Sequence, residues 1–323
     1  MAGALAEVLN PSFLLFPAVV GSIVLGLVCP AVGGFLVLRR SVLLGLTLPQ
    51  LAAAGVAFAL FAHEVGLVPH PGHASEDAHE VERLLAYGGS LLFTFAGMVV
   101  LGLMDRRGTG RAEIRLAVAY ALAGSLTVLL VAFHPFGDVA ILSLVKGEAV
   151  VLSWAELATL GGVYAVVMAC LILFRRELLI SSFDRDLTAL LKGGVAVWDL
   201  LLYLLAGLTV ALGVMMAGPL LTFGFLVLPP IAVRPLVSRM APYFMAASLA
   251  GVSMAVAGFA VCYRFDLPLG PTMVALGCGL VLCARIVAWI GIPPLTLRRR
   301  GTPPRCRRPA AGRGRGPGRT RGT

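Results

Sequence analysis

Residues 174–194, FRRELLISSFDRDLTALLKGG, form a polar island between two apolar runs that are each long enough to cross a membrane. About 20 consecutive apolar residues carry a helix through about 30 Å of hydrocarbon, where a helix satisfies its own backbone. The island opens with Arg175 and Arg176, and basic residues beside a span stay on the cytoplasmic side. Its middle, LLISSFDRDLTALL, has the serine-rich start and spaced leucines of a short amphipathic helix. A cytoplasmic helix with one apolar face either lies on lipid or is gripped by a cytoplasmic partner. The island thus sets the class of the chain: all-α, a polytopic membrane protein whose loops are sorted by charge.

Composition extends this outward. Of 323 residues, 59% are apolar and 13% charged, with a mean hydropathy of +0.94, which excludes an ordinary soluble domain. The formal charge of +10 resembles a nucleic-acid signal until it is mapped. Ten of the 26 basic residues lie at or after Arg298, where no acidic residue occurs, leaving sixteen of each sign before it. Two regions are therefore expected, a transmembrane domain over 1–292 and a disordered basic cytoplasmic tail over 293–323. Such a tail acts electrostatically on anionic lipid, and no nucleic-acid partner is expected. The six cysteines are scattered without a C-x-x-C pair and imply neither a disulfide framework nor a zinc ribbon. The first apolar run is too long for a cleaved signal and reads as a retained helix.

About nine transmembrane helices follow, near 12–38, 44–62, 86–104, 116–133, 156–174, 197–215, 217–233, 242–262 and 270–290, with the short cytoplasmic helix in the island. Residues 139–155, which carry Lys146 and Glu148, read as a helix at the outer face. Arg39, Arg40, Arg106, Arg107, Arg175, Arg176, Arg234 and Arg239 mark one side, against Arg83, Lys146 and Arg264 on the other. The charge rule then places the N-terminus outside the cell membrane and the C-terminus in the cytoplasm.

Polar residues at membrane depth are the candidate sites. Pro49 breaks the second span and leaves Gln50, with Thr47 nearby, beside a cavity as path-lining residues, or else it marks a plain helix kink. Glu148 is acidic in an apolar setting, either path-lining or interfacial. The external loop 63–85 holds His63, His70, His73 and His79 among five acidic residues. Imidazoles and carboxylates suit a zinc-type ion, so this loop is an external metal-capture candidate, or else a solvated loop whose histidines simply titrate. Neither His63-Glu64 nor His79-Glu80 extends to H-E-x-x-H. Pro229 and Pro230 are expected to bend the seventh span.

Several stretches, in order, resemble the metal-ion permease family of ABC transporters. They are LRRSVLLGLTLPQLAAAGVAFAL (38–60), VAILSLVKGEAVVLS (139–153), LLISSFDRDLTALLKGG (178–194), MMAGPLLTFGFLVLPPIAVRPL (215–236) and DLPLGPTMVALGCGLVL (266–282). The resemblance implies a non-enzymatic transport subunit that imports zinc, manganese or a related ion by alternating access. It implies that the island is a coupling helix seated in a separate ATP-binding subunit, with Ser182, Phe183, Asp184, Leu187 and Gly193 at the contact. An extracytoplasmic substrate-binding protein and a second permease copy, as a homodimer, are the other implied partners. The chain carries no G-x-x-x-x-G-K-[ST] loop, so ATP is expected to bind the partner and no cofactor this chain.

One departure falls where the family carries an aspartate and a histidine four residues apart in its second span. Here the run is GLTLPQ, with Leu46 at the aspartate position and Gln50 at the histidine position. Leucine does not ligate, and a neutral amide oxygen is a poor zinc ligand. A chelated metal or a non-metal substrate is therefore the alternative cargo. A secondary transporter would carry acidic or histidine relays inside its spans, which are scarce here, and a membrane-embedded hydrolase would need a nucleophile or metal constellation there.

Overall fold

The computed structural model describes residues 16–65, 76–105, 112–133, 154–183 and 195–290. Among them lie nine helices and no strand: α1 (Phe16–Leu38), α2 (Val42–Glu64), α3 (Glu76–Asp105), α4 (Ala112–Ala132), α5 (Trp154–Leu173), α6 (Arg175–Phe183), α7 (Val195–Val233), α8 (Met240–Phe265) and α9 (Leu269–Trp289). Eight are long and apolar enough to cross a membrane, and the exception, α6, is the first half of the polar island.

The helix α7 has 39 residues, about 58 Å if straight and nearly twice the hydrocarbon thickness. It is not straight. Gly218 has φ 75° and ψ 167°, a backbone conformation that essentially only glycine adopts, and Pro219 begins the next turn. A β-carbon on Gly213 would lie 2.9 Å from the Thr222 side chain, although nine residues of straight helix span about 13 Å. The chain therefore doubles back at Gly218, and α7 is a hairpin with limbs 195–217 and 219–233. Both limbs run along α1: Gly213 packs on Leu25, and the Leu226 backbone lies against Gly33. The two spans expected on either side of residue 216 are these limbs.

At the centre stands α1, with 78% of its apolar window buried, packed between α7 and α8. The corresponding share is 17% for each of α3, α4 and α9, whose apolar surface is left for lipid. Between lipid-like surfaces no hydrophobic drive brings helices together, so contact depends on close packing. Two glycine pairs provide it. Gly26 of α1 meets Gly251 of α8, and Gly55 of α2 meets Gly89 of α3, so closely that a β-carbon on either member would strike the other's carbonyl oxygen.

Two local expectations change. Residues 76–85, read as loop, are helical and extend α3; the run EDAHEVERLL is rich in helix formers, with acidic residues favourably placed in a first turn. Pro49 does not break α2, which continues through it; its ring removes the hydrogen bond to the carbonyl of Gly45 without ending the helix. Pro229 and Pro230 lie inside the second limb of α7, and the non-helical residue is Gly218, whose positive φ turns the chain. Residues 139–153, the second half of the island and the tail from 293 lie outside the described residues.

Candidate functional site

A cavity of about 250 Å³ opens where α2, α4 and the tip of the α7 hairpin meet. From α2 come Leu46, Pro49, Gln50 and Ala53, the i, i+3, i+4, i+7 stripe of one helical face. Tyr120, Thr127 and Val131 arrive from α4, and Pro219, Leu220 and Phe223 from just past the hairpin turn. Gln50 lies eight residues into α2, about 12 Å from its start and so near the middle of a 30 Å hydrocarbon layer. The hairpin builds this wall: without the reversal at Gly218, residues 219–223 would leave the bundle.

The chemistry of the cavity is neutral. Its polar groups are the Gln50 amide, the Tyr120 phenol and the Thr127 hydroxyl, which donates to the carbonyl of Ala123 at 2.8 Å. Gly124 makes room for the amide, since a β-carbon there would sit 3.3 Å from Gln50 Nε2. No group of three His, Cys, Asp or Glu side chains that could hold a metal ion occurs among the described residues. Leu46 and Gln50 thus share one cavity, and neither offers an anion. Thr47, expected beside them, is 1% exposed and points away: its hydroxyl meets the carbonyls of Leu43 at 2.9 Å and Leu116 at 3.2 Å.

A second constellation joins α1, α6 and α7. Arg40 takes a left-handed φ of 58° as α1 ends, while the Ser41 N–H donates to Leu36 O at 3.0 Å and the Arg40 N–H to Val37 O at 3.2 Å. At this end Arg39, whose side chain is 6% exposed, extends to both other helices. Its Nη1 donates to Asp199 Oδ1 at 2.6 Å, Nε to Ser182 Oγ at 3.0 Å and Nη2 to Ser181 Oγ at 3.1 Å. Ser181 Oγ donates in turn to Asp199 Oδ1 at 3.0 Å. Of the residues expected at a partner contact, Ser182 is therefore held from behind by α1. Phe183 ends α6, and Asp184, Leu187 and Gly193 lie outside the described residues. Sequence reading took Arg39 only as a charge anchor and passed over Asp199, although an isolated aspartate in VAVWDLLLY is the signal that would have found it.

The external histidines are not brought together as a described site. His63 is half-buried in the last turn of α2, His79 falls in α3, and His70, His73 and Glu148 lie outside the described residues.

Residues 12–288 match the ABC 3 transport family. The chain belongs to that family. A probable metal transport system membrane protein of Chlamydia pneumoniae is 22% identical over 54% of this chain and 61% of its own length. The manganese transport system membrane protein MntC of Halalkalibacterium halodurans is 22% identical over 80% of this chain and 81% of its own. Among solved structures, PsaBC from Streptococcus pneumoniae in complex with Fab superposes with a TM-score of 0.73 at 19% identity, covering 88% of this chain and 95% of that one. The likeness bears on the fold: this ABC 3 chain shares its helical architecture with PsaBC.

Proposed function

We propose that this ABC 3 chain is the membrane-spanning permease subunit of an ATP-driven importer whose cargo is a divalent metal, zinc or manganese. The observation that carries the reading is the cavity at Leu46 and Gln50, closed by the α7 tip, in a chain with relatives named for metal and for manganese transport. The arginine-rich end, with Arg39, Arg175, Arg176 and Arg234, faces the cytoplasm, so the N-terminus is outside and the tail inside. There the segment 179–193 seats in a separate ATP-binding subunit, and the junction of Arg39 with Ser182 and Asp199 carries its movement to α1 and α7. An extracytoplasmic binding protein delivers cargo to the opposite face, and a second permease copy completes the path.

The neutral lining favours a second reading of the cargo. A bare divalent ion entering the cavity exchanges water for one amide and two hydroxyls, poor ligands beside carboxylate or imidazole. A metal that brings its own chelator meets no such loss. Total cell metal, measured by mass spectrometry with the permease co-expressed with an ATPase and a binding protein, tests both. Permease-dependent accumulation from free zinc or manganese supports the ion, and accumulation only from a supplied chelate supports the complex. If no metal changes while the ATPase assembles with the chain, the metal cargo is wrong and the permease reading stands.

A further inference from the structure

A second and larger opening lies at the arginine-rich end, away from the path. It is a groove of about 630 Å³ between α1, α5 and α8, with α6 across one end. Its walls are aliphatic and aromatic, and no acidic side chain lines it. Ile172, Met245 and Leu249 on its rim are 61%, 67% and 65% exposed, so the groove opens sideways toward the hydrocarbon. The polar side chain deep in it, Ser248, donates its hydroxyl to Leu27 O at 2.9 Å, which leaves the floor without a free donor. From Met240 to Leu249 the α8 wall is about 14 Å long, the depth of one leaflet.

The charges sit at one end only. Arg175 and Arg176, the first residues of α6, line the mouth and are exposed. Neither forms an ion pair with another described residue; Arg39 takes Asp199, and Arg83 takes Glu156. Two guanidinium groups at the mouth of a hydrocarbon slot of leaflet depth match an anionic headgroup above an acyl chain.

We propose that this groove is a binding site for one anionic phospholipid, its phosphate held by Arg175 and Arg176 and one acyl chain laid over α1 between α5 and α8. Because α6 also carries Ser181 and Ser182, the lipid braces the same helix that Arg39 holds from the other side. Lipid occupancy then stiffens the junction between the island and the bundle.

The test uses the full chain purified in non-ionic detergent, with native mass spectrometry and thermal melting in added phosphatidylglycerol or phosphatidylcholine. Two arginines near an anionic headgroup give a preference of about 30-fold for phosphatidylglycerol. The exposed double variant Arg175→Gln, Arg176→Gln should fold normally and lose that preference while the tail's arginines remain, and Met245→Trp, filling the rim, should lower binding of both lipids. Equal binding of the two lipids, or selectivity retained in the double variant, overturns the proposal. So does loss of a co-purified ATPase with lipid selectivity unchanged, which assigns the arginines to that partner. Efficient disulfide formation between copies through Met245→Cys overturns it as well, by showing a second copy in the groove.

Discussion

Arg39 ties three segments together with all three of its side-chain nitrogens, and its removal takes the bonded cation from Asp199. With Asp199 only 17% exposed, Arg39→Ala takes the guanidinium from a largely buried carboxylate and should destabilise the protein by about 3 kcal/mol, read as a lower melting temperature in detergent. Arg39→Lys keeps the charge but lacks the planar fork that reaches Asp199, Ser181 and Ser182 at once, so it should recover only part of that loss. Melting of Arg39→Ala at the wild-type temperature would sink this account. Gln50 poses the complementary case, a neutral group where the family resemblance places a ligand. Gln50→Ala should lower transport about tenfold, because an amide aimed at a cation or its chelate contributes on the order of one charge-assisted hydrogen bond. Restoring both expected ligands with Leu46→Asp and Gln50→His should shift uptake toward the free ion, and an unchanged preference between free and chelated metal would argue that the cavity does not set the cargo. The pair itself was legible in GLTLPQ, because residues four apart share a helical face. Tyr120 and Thr127 were not, since they come from a helix about 70 residues further along and only packing brings them to Gln50.

Among the elements, the α7 hairpin decides the site. Apolar content alone reads 197–233 as one long stretch, and the length argument for two limbs rests on hydrocarbon thickness. What the sequence does not announce is where the reversal sits. Prolines commonly kink a helix, yet Pro229 and Pro230 stay inside the second limb and the turn falls on Gly218 in AGP. At φ 75° and ψ 167° a β-carbon is strained whatever space surrounds it. Gly218→Ala should cost about 1–3 kcal/mol. It should also displace Pro219 and Leu220 from the cavity wall, so that transport falls further than it does for Gly277→Ala on the neighbouring helix, where a β-carbon meets only side chains. Equal loss in both would mean that Gly218 matters for packing alone.

At the scale of the molecule, the helices sort by burial into a central α1 with its α7 and α8 neighbours and a lipid-facing rim of α3, α4 and α9. Orientation is open to direct measurement. In a background with the native cysteines replaced by alanine, Arg234→Cys should be labelled by an impermeant reagent only after the cells are opened, and Leu267→Cys from outside; the reverse pattern would invert the bundle and with it the direction of transport. Apolar runs of about 20 residues are local properties, so the chain by itself determined that it is all-helical and polytopic and, α3 apart, where the described helices begin and end to within a few residues. The order of its motifs likewise indicated the transporter class. Only the tertiary structure decided what faces what. It brought Leu46 and Gln50 to a cavity shared with Tyr120 and Phe223, turned Thr47 away onto the carbonyl of Leu116, and joined Arg39 to Asp199 across 160 positions of sequence. Inside hydrocarbon every helix is apolar on all sides, so hydrophobic patterning carries little record of which face meets a neighbour, and close packing at glycines and a few buried hydrogen bonds makes that choice.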